Sequence, residues 1–349
     1  MTSDIHRGSG SAPVTASAAA TGGATGGPAS YLKRLLHVQE TGIVVVLILI
    51  VALVALGHPR FVSSQSLTNL TQQSAFFGIM ALGVVFLLAM RELDLSVGSN
   101  YSVCTIATAV LARDGLNPWV AAVAGILLGA ALGAVNALLA NRFKLPVIII
   151  SLGTLSAYRG LTQVVSHSSP IGGQPVGSSF YRWVGATHLG LPTVVYVFFV
   201  LCGVLTFVFR STRFGYAVRA VGSNEEAARL TGYPIARVRL TVLTLVGALC
   251  GLSGVCTLAY FGAADPGVGT GYELTVIAAA IIGGTGLAGG AGSVPGALIG
   301  ALLISVIAGA LTQVGVPADW GQFVTGVVIV TAVGFDALVR RRTRAGVRA

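Results

Sequence analysis

The stretch from Thr41 to Gly57 reads TGIVVVLILIVALVALG and contains no charged residue. Its length is close to the roughly 20 apolar residues with which an α-helix crosses a bilayer. It follows Lys33 and Arg34, whereas a secretory signal would place a short apolar stretch near residue 1, with a small-residue cleavage site. We therefore interpret residues 41–57 as an uncleaved membrane anchor.

The composition extends this interpretation to the whole chain. Of its 349 residues 54% are hydrophobic and 9% are charged, and the mean hydropathy is +0.85, whereas soluble proteins carry about 25% charged residues. The four cysteines lie in apolar segments without C-x-x-C spacing, and no histidine falls in a predicted span, so neither a metal site nor a redox site is expected. The net charge of +10 comes from arginines between apolar runs, not along one solvated face, so no nucleic-acid partner is expected.

Ten apolar runs predict an all-α integral membrane protein of about ten transmembrane helices, some of them short or broken by glycine. Basic residues mark the cytoplasmic side of a membrane protein. If the N- and C-termini are both cytoplasmic, seventeen of the 21 basic residues lie on that side. Arg60, Arg113 and Arg182 lie outside, and Arg159 lies within a span. The predicted spans are residues 41–57, 75–90, 95–112, 118–140, 145–166, 191–209, 240–262, 273–289, 293–313 and 320–338.

The predicted domain organisation is one transmembrane domain, residues 41–338, between two tails. Residues 1–40 are rich in glycine, alanine, serine and threonine and are predicted to be a disordered cytoplasmic tail. Residues 339–349 are predicted to be a basic cytoplasmic tail. Two loops are long enough to meet a partner, the cytoplasmic loop 210–239 and the periplasmic loop 167–190.

The cytoplasmic loop contains a short stretch with the pattern of a soluble helix. Ser223 is the expected N-cap, with Glu226 completing a capping box, and Gly232 and Pro234 end the helix. A helix of about two turns is marginal alone in water, so it is expected to form against a partner, although a simple connector is the alternative. The candidate partner-docking residues are Ser223, Asn224, Glu225, Glu226, Ala227, Ala228, Arg229, Leu230, Thr231 and Gly232.

Polar residues that interrupt the apolar spans are candidates for translocation or gating. Charged residues within a membrane usually face the protein interior or an aqueous path. A structural role at a helix N-terminus is the alternative for Asp94, and snorkelling of the side chain to the outer surface is the alternative for Arg159. The candidates are Asp94, Ser96, Gly98, Ser151, Thr154, Arg159 and Glu273.

The glycine-rich run Gly283–Gly292 contains the pattern G-x-G-x-x-G. It lacks the preceding strand and the following acidic residue of a dinucleotide-binding site, so we reject that interpretation. Gly292, Gly296 and Gly300 recur every four residues, a spacing typical of close helix packing. Neither lysine follows a glycine, so the chain has no Walker A loop. Because the spans also lack hydrolase motifs, we predict a membrane subunit that is not an enzyme, with no catalytic residue and no cofactor of its own.

Taken together, these stretches resemble the permease subunits of binding-protein-dependent ABC importers of monosaccharides, the ribose, xylose and arabinose type. The resemblance covers residues 40 to 340 and departs from the family at Thr275, where an aspartate is common, and at Ala308, where an asparagine is common. The matching stretches are Asp94–Ser99, Pro146 with Ser151–Thr154 and Arg159–Gly160, Gly215–Gly232, Tyr272–Leu274 and Gly283–Gly300.

The resemblance implies a multi-pass inner-membrane protein that translocates a monosaccharide as one of a pair, with a homodimer expected. It also implies two ATPase subunits that hold ATP and Mg, a periplasmic sugar-binding protein, and a role for residues 223–232 as the coupling helix. The alternative is an ion-coupled secondary transporter of a small polar solute. It is disfavoured because Asp94, Glu273 and Asp319 map to span ends, where they are poorly placed to carry protons. A membrane scaffold without transport is a third possibility.

Overall fold

The fold is an almost wholly helical bundle. The computed structural model describes residues 39–317 and, further on, residues 320, 323, 326, 327, 330 and 331. Most of the two predicted tails and of the tenth predicted span lies outside these residues. The elements are α1 (Gln39–Gly57), a 3-10 turn (Pro59–Val62), α2 (Ser64–Ala89), α3 (Val97–Arg113), α4 (Pro118–Phe143), α5 (Val147–Ser166), α6 (Ser179–Val184), β1 (Thr187–His188), β2 (Leu191–Pro192), α7 (Thr193–Ser211), α8 (Arg213–Ser223), α9 (Glu225–Leu230), α10 (Ile235–Phe261), α11 (Tyr272–Ile282) and α12 (Val294–Gln313).

Nine predicted spans coincide with helices, but several limits were wrong. Within the described part of the chain, six helices are long and apolar enough to cross a membrane, namely α2, α4, α5, α7, α10 and α12, while α1 and α11 are shorter apolar helices. The span predicted at 75–90 is part of α2, which begins at Ser64 because Ser63 caps it and accepts a hydrogen bond from the Ser66 amide at 3.3 Å. The span predicted at 273–289 ends at Ile282, since glycines follow.

Cap residues set most of the other helix limits. Asn117 caps α4 by accepting a hydrogen bond from the Trp119 amide at 2.9 Å, and Pro118 occupies the first helical position, where its missing N–H costs nothing. Lys144 ends α4 in the left-handed conformation (φ 56°), and Pro146 directly precedes α5. Ser293 caps α12 and accepts from the Gly296 amide at 3.0 Å.

Helix α2 forms the centre of the bundle. Of its most apolar stretch 94% is buried, against about a third for α4 and α7. It contacts α7, α10, α11 and α12. Large apolar side chains such as Leu127, Val200 and Phe207 are exposed on the outer helices, as expected where lipid surrounds a protein.

A glycine seam, which we define as Gly125, Gly129 and Gly133 of α4 against Gly247 and Gly251 of α10, brings two helix backbones into contact. A Cβ atom at Gly129 would clash with the Gly247 carbonyl oxygen, and one at Gly247 would clash with the Gly129 carbonyl oxygen. Small residues at four-residue spacing allow this close approach. The seam was not predicted from the sequence, although its spacing equals that of Gly292, Gly296 and Gly300.

The bundle has two ends with different loops. We call the end that carries α8 and α9 the loop end, and the end that carries α6 and the β1–β2 hairpin the hairpin end. At the hairpin end Tyr181 donates a hydrogen bond to Gln174 Oε1 at 2.8 Å, and burial raises the pKa of Tyr181 to about 12. Residues Ile171 and Ala264 form an isolated bridge that joins the loop before α6 to the loop after α10.

Candidate functional site

The helices α3 and α11, which we call the interrupted helices, both begin inside the bundle, and their first turns face each other. α11 has 11 residues and is therefore about 16 Å long, half the thickness of a bilayer core. A Cβ atom placed on Gly98, in the first turn of α3, would lie 2.5 Å from Glu273 Oε2 and 2.5 Å from the Gly269 carbonyl oxygen. The positive ends of two helix dipoles thus converge, an arrangement with which transporters hold solutes near the membrane midplane.

Arg159 and Glu273 lie beside this junction. Arg159 is half-buried, and its Nη1 donates to the Val268 carbonyl at 3.0 Å and to Ser102 Oγ at 3.4 Å. Val268 lies in the loop before α11, and Ser102 lies in α3. The guanidinium group therefore contacts the protein interior, and the snorkelling alternative does not describe it. Glu273 Oε2 is buried and has no hydrogen-bond partner among the described residues. A buried polar atom without a partner is rare in native structures.

A buried polar network joins α3, α4 and α5. Asp94 is 5% exposed, and its Oδ1 accepts hydrogen bonds from the Ser96 amide at 2.8 Å and from Ser96 Oγ at 2.6 Å. Asn136 Nδ2 donates to Ser96 Oγ at 2.8 Å, and the Tyr158 hydroxyl donates to Asn136 Oδ1 at 3.1 Å. The Asp94 carboxylate thus accepts two hydrogen bonds from Ser96, the residue directly before α3. Asn136 was missed, although a lone asparagine in an apolar span is a recognisable signal.

The polar residues of α5 do not share one face. The buried Ser151 Oγ accepts from the Leu95 amide at 3.0 Å and so binds the segment before α3. Thr154 is half-buried and donates to the Ser151 carbonyl, whereas Ser156 is exposed. No atom lies within 4 Å of a Cβ placed on Gly153 or Gly160, so the side of α5 that carries these two glycines is uncovered.

The predicted capping box of the short helix in the loop was wrong. Asn224, not Ser223, is the N-cap of α9, and its Oδ1 accepts from the Ala227 amide at 3.0 Å. Ser223 is the last residue of α8 and its Oγ is already bonded to the Arg219 carbonyl at 2.9 Å. The chain is still helical at Ser223, because α8 runs directly into this stretch, so the serine cannot adopt the extended conformation of a cap.

Gly232, two residues after the last residue of α9, terminates this helix. Gly232 has φ 87°, its amide donates to the Arg229 carbonyl at 3.1 Å, and the Tyr233 amide donates to the Ala228 carbonyl at 3.0 Å. These are the two bonds of a Schellman motif. Ala228 is buried against the bundle, while Leu230 is 84% exposed. α9 is therefore capped at both ends and exposes one large apolar side chain, that of Leu230.

One short segment, residues 90–96, connects the base of α9 to the interrupted helices. Arg91 donates to the Ala288 carbonyl at 2.5 Å and to the Ser223 carbonyl at 3.1 Å, so it ties the glycine-rich run to the residue before the α9 cap. Glu92 forms an ion pair with Arg239 of α10 at 2.7 Å and accepts from the Val147 amide at the start of α5. At the far end of the segment, the Asp94 carboxylate bonded to Ser96 holds α3.

The glycine-rich run brings α11 and α12 together. A Cβ atom at Gly296 would clash with the Gly283 carbonyl oxygen, and one at Gly300 would clash with the Ala279 carbonyl oxygen. At Gly292 the nearest atom would be Val85 Cγ1 at 2.9 Å. Among the described residues, no three His, Cys, Asp or Glu side chains are grouped so that they could hold a metal ion.

Known proteins similar to this chain are transport permeases. The model of the family described as "Branched-chain amino acid transport system / permease component" matches residues 66–333. The ribose import permease protein RbsC of Escherichia coli (strain K12) is 34% identical over 308 residues, which are 88% of this chain and 96% of that protein.

Two further relatives are named for other sugars. The L-arabinose ABC transporter permease protein AraH of Azospirillum brasilense is 30% identical over 308 residues, 88% of this chain and 90% of its own. The D-allose transport system permease protein AlsC of Escherichia coli (strain K12) is 33% identical over 305 residues, 87% and 93% of the two chains. A solved inward-facing structure of a metal-chelate type ABC transporter covers 85% of this chain and 98% of its own at 15% identity, with a TM-score of 0.49, a likeness too distant to support a function.

Proposed function

Because the chain belongs to the family of transport-system permease components, we propose that it is the translocation subunit of an ATP-driven ABC importer of a monosaccharide. The observation that carries the proposal is the 34% identity to a ribose import permease along almost the full length of both chains. The names of the other relatives, for L-arabinose and D-allose, support a sugar as the solute. The protein is a multi-pass membrane subunit and not an enzyme, because its family and its relatives are permeases.

The finer organisation is part of the proposal. The loop end faces the cytoplasm, both termini lie on that side, and ten helices, including one at residues 320–338, cross the inner membrane. Residues 1–40 and 339–349 are cytoplasmic tails, loop 210–239 faces an ATPase subunit, and loop 167–190 faces a periplasmic sugar-binding protein. ATP and Mg bind to the ATPase, and the permease itself carries no cofactor.

The pathway is proposed to follow α5 at the contact between two copies of the chain. α5 is the least buried of the six long helices, with 28% of its most apolar stretch covered, and it carries Ser151, Thr154 and Arg159. At the junction of the interrupted helices, Arg159 and the unpaired Glu273 oxygen offer a donor and an acceptor for sugar hydroxyl groups. Gly98 keeps the two helix starts in contact.

The coupling residues are Ser223 to Gly232, with α9 as their helical part. Leu230 enters a groove of the ATPase, and closure of the ATPase pair displaces α9. Because Arg91 bonds the Ser223 carbonyl and Glu92 pairs with Arg239, the displacement reaches segment 90–96 and the start of α3. Movement there opens or closes the junction of α3 and α11.

Reconstitution tests the proposed function. The permease is purified with the ATPase that accompanies it from its native host, incorporated into liposomes, and assayed for uptake of radiolabelled ribose, arabinose and allose with the sugar-binding protein present. We expect uptake only when ATP and the ATPase are both present. Uptake by the permease alone, or uptake that follows an ion gradient without ATP, would favour a secondary transporter instead.

Arg159 supplies a sharper test of the pathway. We expect Arg159→Ala to lower the initial rate of uptake about 10- to 100-fold, because a hydrogen bond to a charged group is worth about 1.5–3 kcal/mol. The amount of folded protein in the membrane should change little, since the side chain is only half-buried. Arg60→Ala, which removes an exposed arginine of the 3-10 turn outside both partner-facing loops, is the matched control and should transport normally. Equal losses of folded protein and of uptake in Arg159→Ala would make the residue structural.

A further inference from the structure

A charged groove lies beside α9 at the loop end. Its volume is about 1100 Å³, at the upper limit of the roughly 300–1,000 Å³ of small-molecule pockets, so it has room for more than a single ion. Most of its lining residues come from three parts of the chain, namely α9 with the residues that lead into α10, the end of α4 with the linker to α5, and residues 90–92.

The charges that line the groove do not balance. Five arginine or lysine side chains face two glutamates. Both glutamates are already paired, Glu92 with Arg239 at 2.7 Å and Glu225 with Arg229 at 3.0 Å. The remaining basic side chains belong to Arg91, Lys144 and Arg237.

None of these three charges is neutralised within the part of the chain that the structure describes. Arg91 is bonded only to backbone carbonyls, which leave its charge uncompensated. Lys144 and Arg237 are exposed and make no side-chain hydrogen bond or ion pair to any described residue. The excess of positive charge therefore favours an anionic occupant that contacts Lys144 and Arg237.

The position of the groove indicates which anion it binds. Glu225 and Arg229 line the groove and also belong to the proposed coupling residues Ser223 to Gly232, so a protein seated on α9 also contacts the groove. We infer that the groove is a second docking site for the ATPase subunit and receives an acidic segment of that subunit between Lys144 and Arg237. This inference rests on the proposed function, since it requires an ATPase at the loop end.

The lysine content of the chain allows a direct test on the wild-type complex. The chain has two lysines, Lys33 and Lys144, so Lys144 is the only one in the permease domain. A carbodiimide condenses a lysine amine with a carboxylate, forming an amide bond while the reagent takes up the water. We expect carbodiimide to join Lys144 to an aspartate or glutamate of the ATPase, identified by mass spectrometry of the linked peptides. Lys144→Arg keeps the charge and should bind the ATPase normally but give no cross-link.

Reversing the charges of the groove measures how much it contributes to the affinity for the ATPase. In the double variant Lys144→Glu with Arg237→Glu, we expect the dissociation constant of the ATPase to rise at least about tenfold at low ionic strength, with a smaller difference in high salt, because the contacts are electrostatic. Arg142→Glu is the matched control: it reverses an exposed charge two residues from Lys144, outside the groove, and should bind like the wild type. Circular dichroism and size-exclusion chromatography establish that each variant is folded. If the double variant does not fold, the cross-link from wild-type Lys144 decides alone.

The outcomes separate the two levels of the proposal. If the wild-type permease binds no ATPase, the proposed function fails. If the wild type binds but the double variant binds equally well and Lys144 cross-links to nothing, only the groove inference fails. If the double variant binds the ATPase normally and instead loses co-purified phosphatidylglycerol in native mass spectrometry, the groove is a lipid headgroup site and the inference is overturned.

Discussion

Replacing Ala228 with proline is expected to reduce ATP-driven sugar uptake to background while the permease remains in the membrane. The Ala228 amide donates to the Asn224 carbonyl at 3.0 Å, and proline both removes this donor and clashes with that carbonyl. The cost of proline inside a helix is about 3 kcal/mol, which lowers the folded population of a two-state helix more than about a hundredfold. α9 has only six residues, so it has no remaining turn that could persist.

The control for this variant is Glu225→Pro. Glu225 is the first residue of α9 and follows Asn224 in an extended conformation (φ −158°), which suits a residue before proline. The variant loses the exposed Glu225–Arg229 pair, worth less than about 1 kcal/mol. Because Glu225→Pro keeps α9 folded and changes a single exposed side chain of the coupling residues, we expect it to lose far less uptake than Ala228→Pro. ATP hydrolysis should lose its dependence on the binding protein only in Ala228→Pro. Normal coupling in both variants would exclude α9 as the coupling element.

Replacing Gly296 with alanine is expected to destabilise the bundle strongly for a change of one methyl group. The added Cβ would clash with the Gly283 carbonyl oxygen, and a backbone atom cannot rotate away as a side chain can. Overpacking of this kind costs about 1–3 kcal/mol and sometimes more. We expect the thermal midpoint in detergent to fall by roughly 5–10 °C, measured by fluorescence-detected size-exclusion chromatography after heating.

Gly203→Ala is the matched control for the packing prediction. Gly203 lies within α7 with no atom within 4 Å of a Cβ placed on it, so alanine meets no obstacle and favours the helix. We expect an unchanged or slightly higher midpoint. If Gly296→Ala is as stable as Gly203→Ala, the backbones of α11 and α12 are not in the close contact that makes Gly296 necessary.

The fold was largely predictable because apolar length is a local property of the sequence. Each of the first nine predicted spans contains a helix, and only their limits changed, as at Ser64 and Ile282. The first and last residues of a helix depend on capping side chains and on glycine, and the periodicity of apolar residues does not indicate these positions. The glycine seam between α4 and α10 carries the same four-residue spacing as Gly292, Gly296 and Gly300, so the sequence does contain a signal for it.

The geometry of the site was less predictable, because it depends on contacts between distant parts of the chain. Arg159 was selected as a polar residue in a span, but its partners lie at Ser102 and Val268, more than 50 residues away. The capping box at Ser223 was wrong because the sequence does not reveal that α8 continues to that residue. The ion pair between Glu92 and Arg239 joins positions 147 residues apart, a pairing that no local pattern indicates.

The glycine seam also has a mechanical consequence. Because the α4 and α10 backbones touch, neither helix can slide along the other without steric overlap, so the two behave as one stiff rod. α10 has 27 residues and is about 40 Å long. One end of the rod adjoins α9, and the other carries the loop with Ala264 and Val268. A small tilt imposed at the loop end is thus transmitted along α10 to the hairpin end.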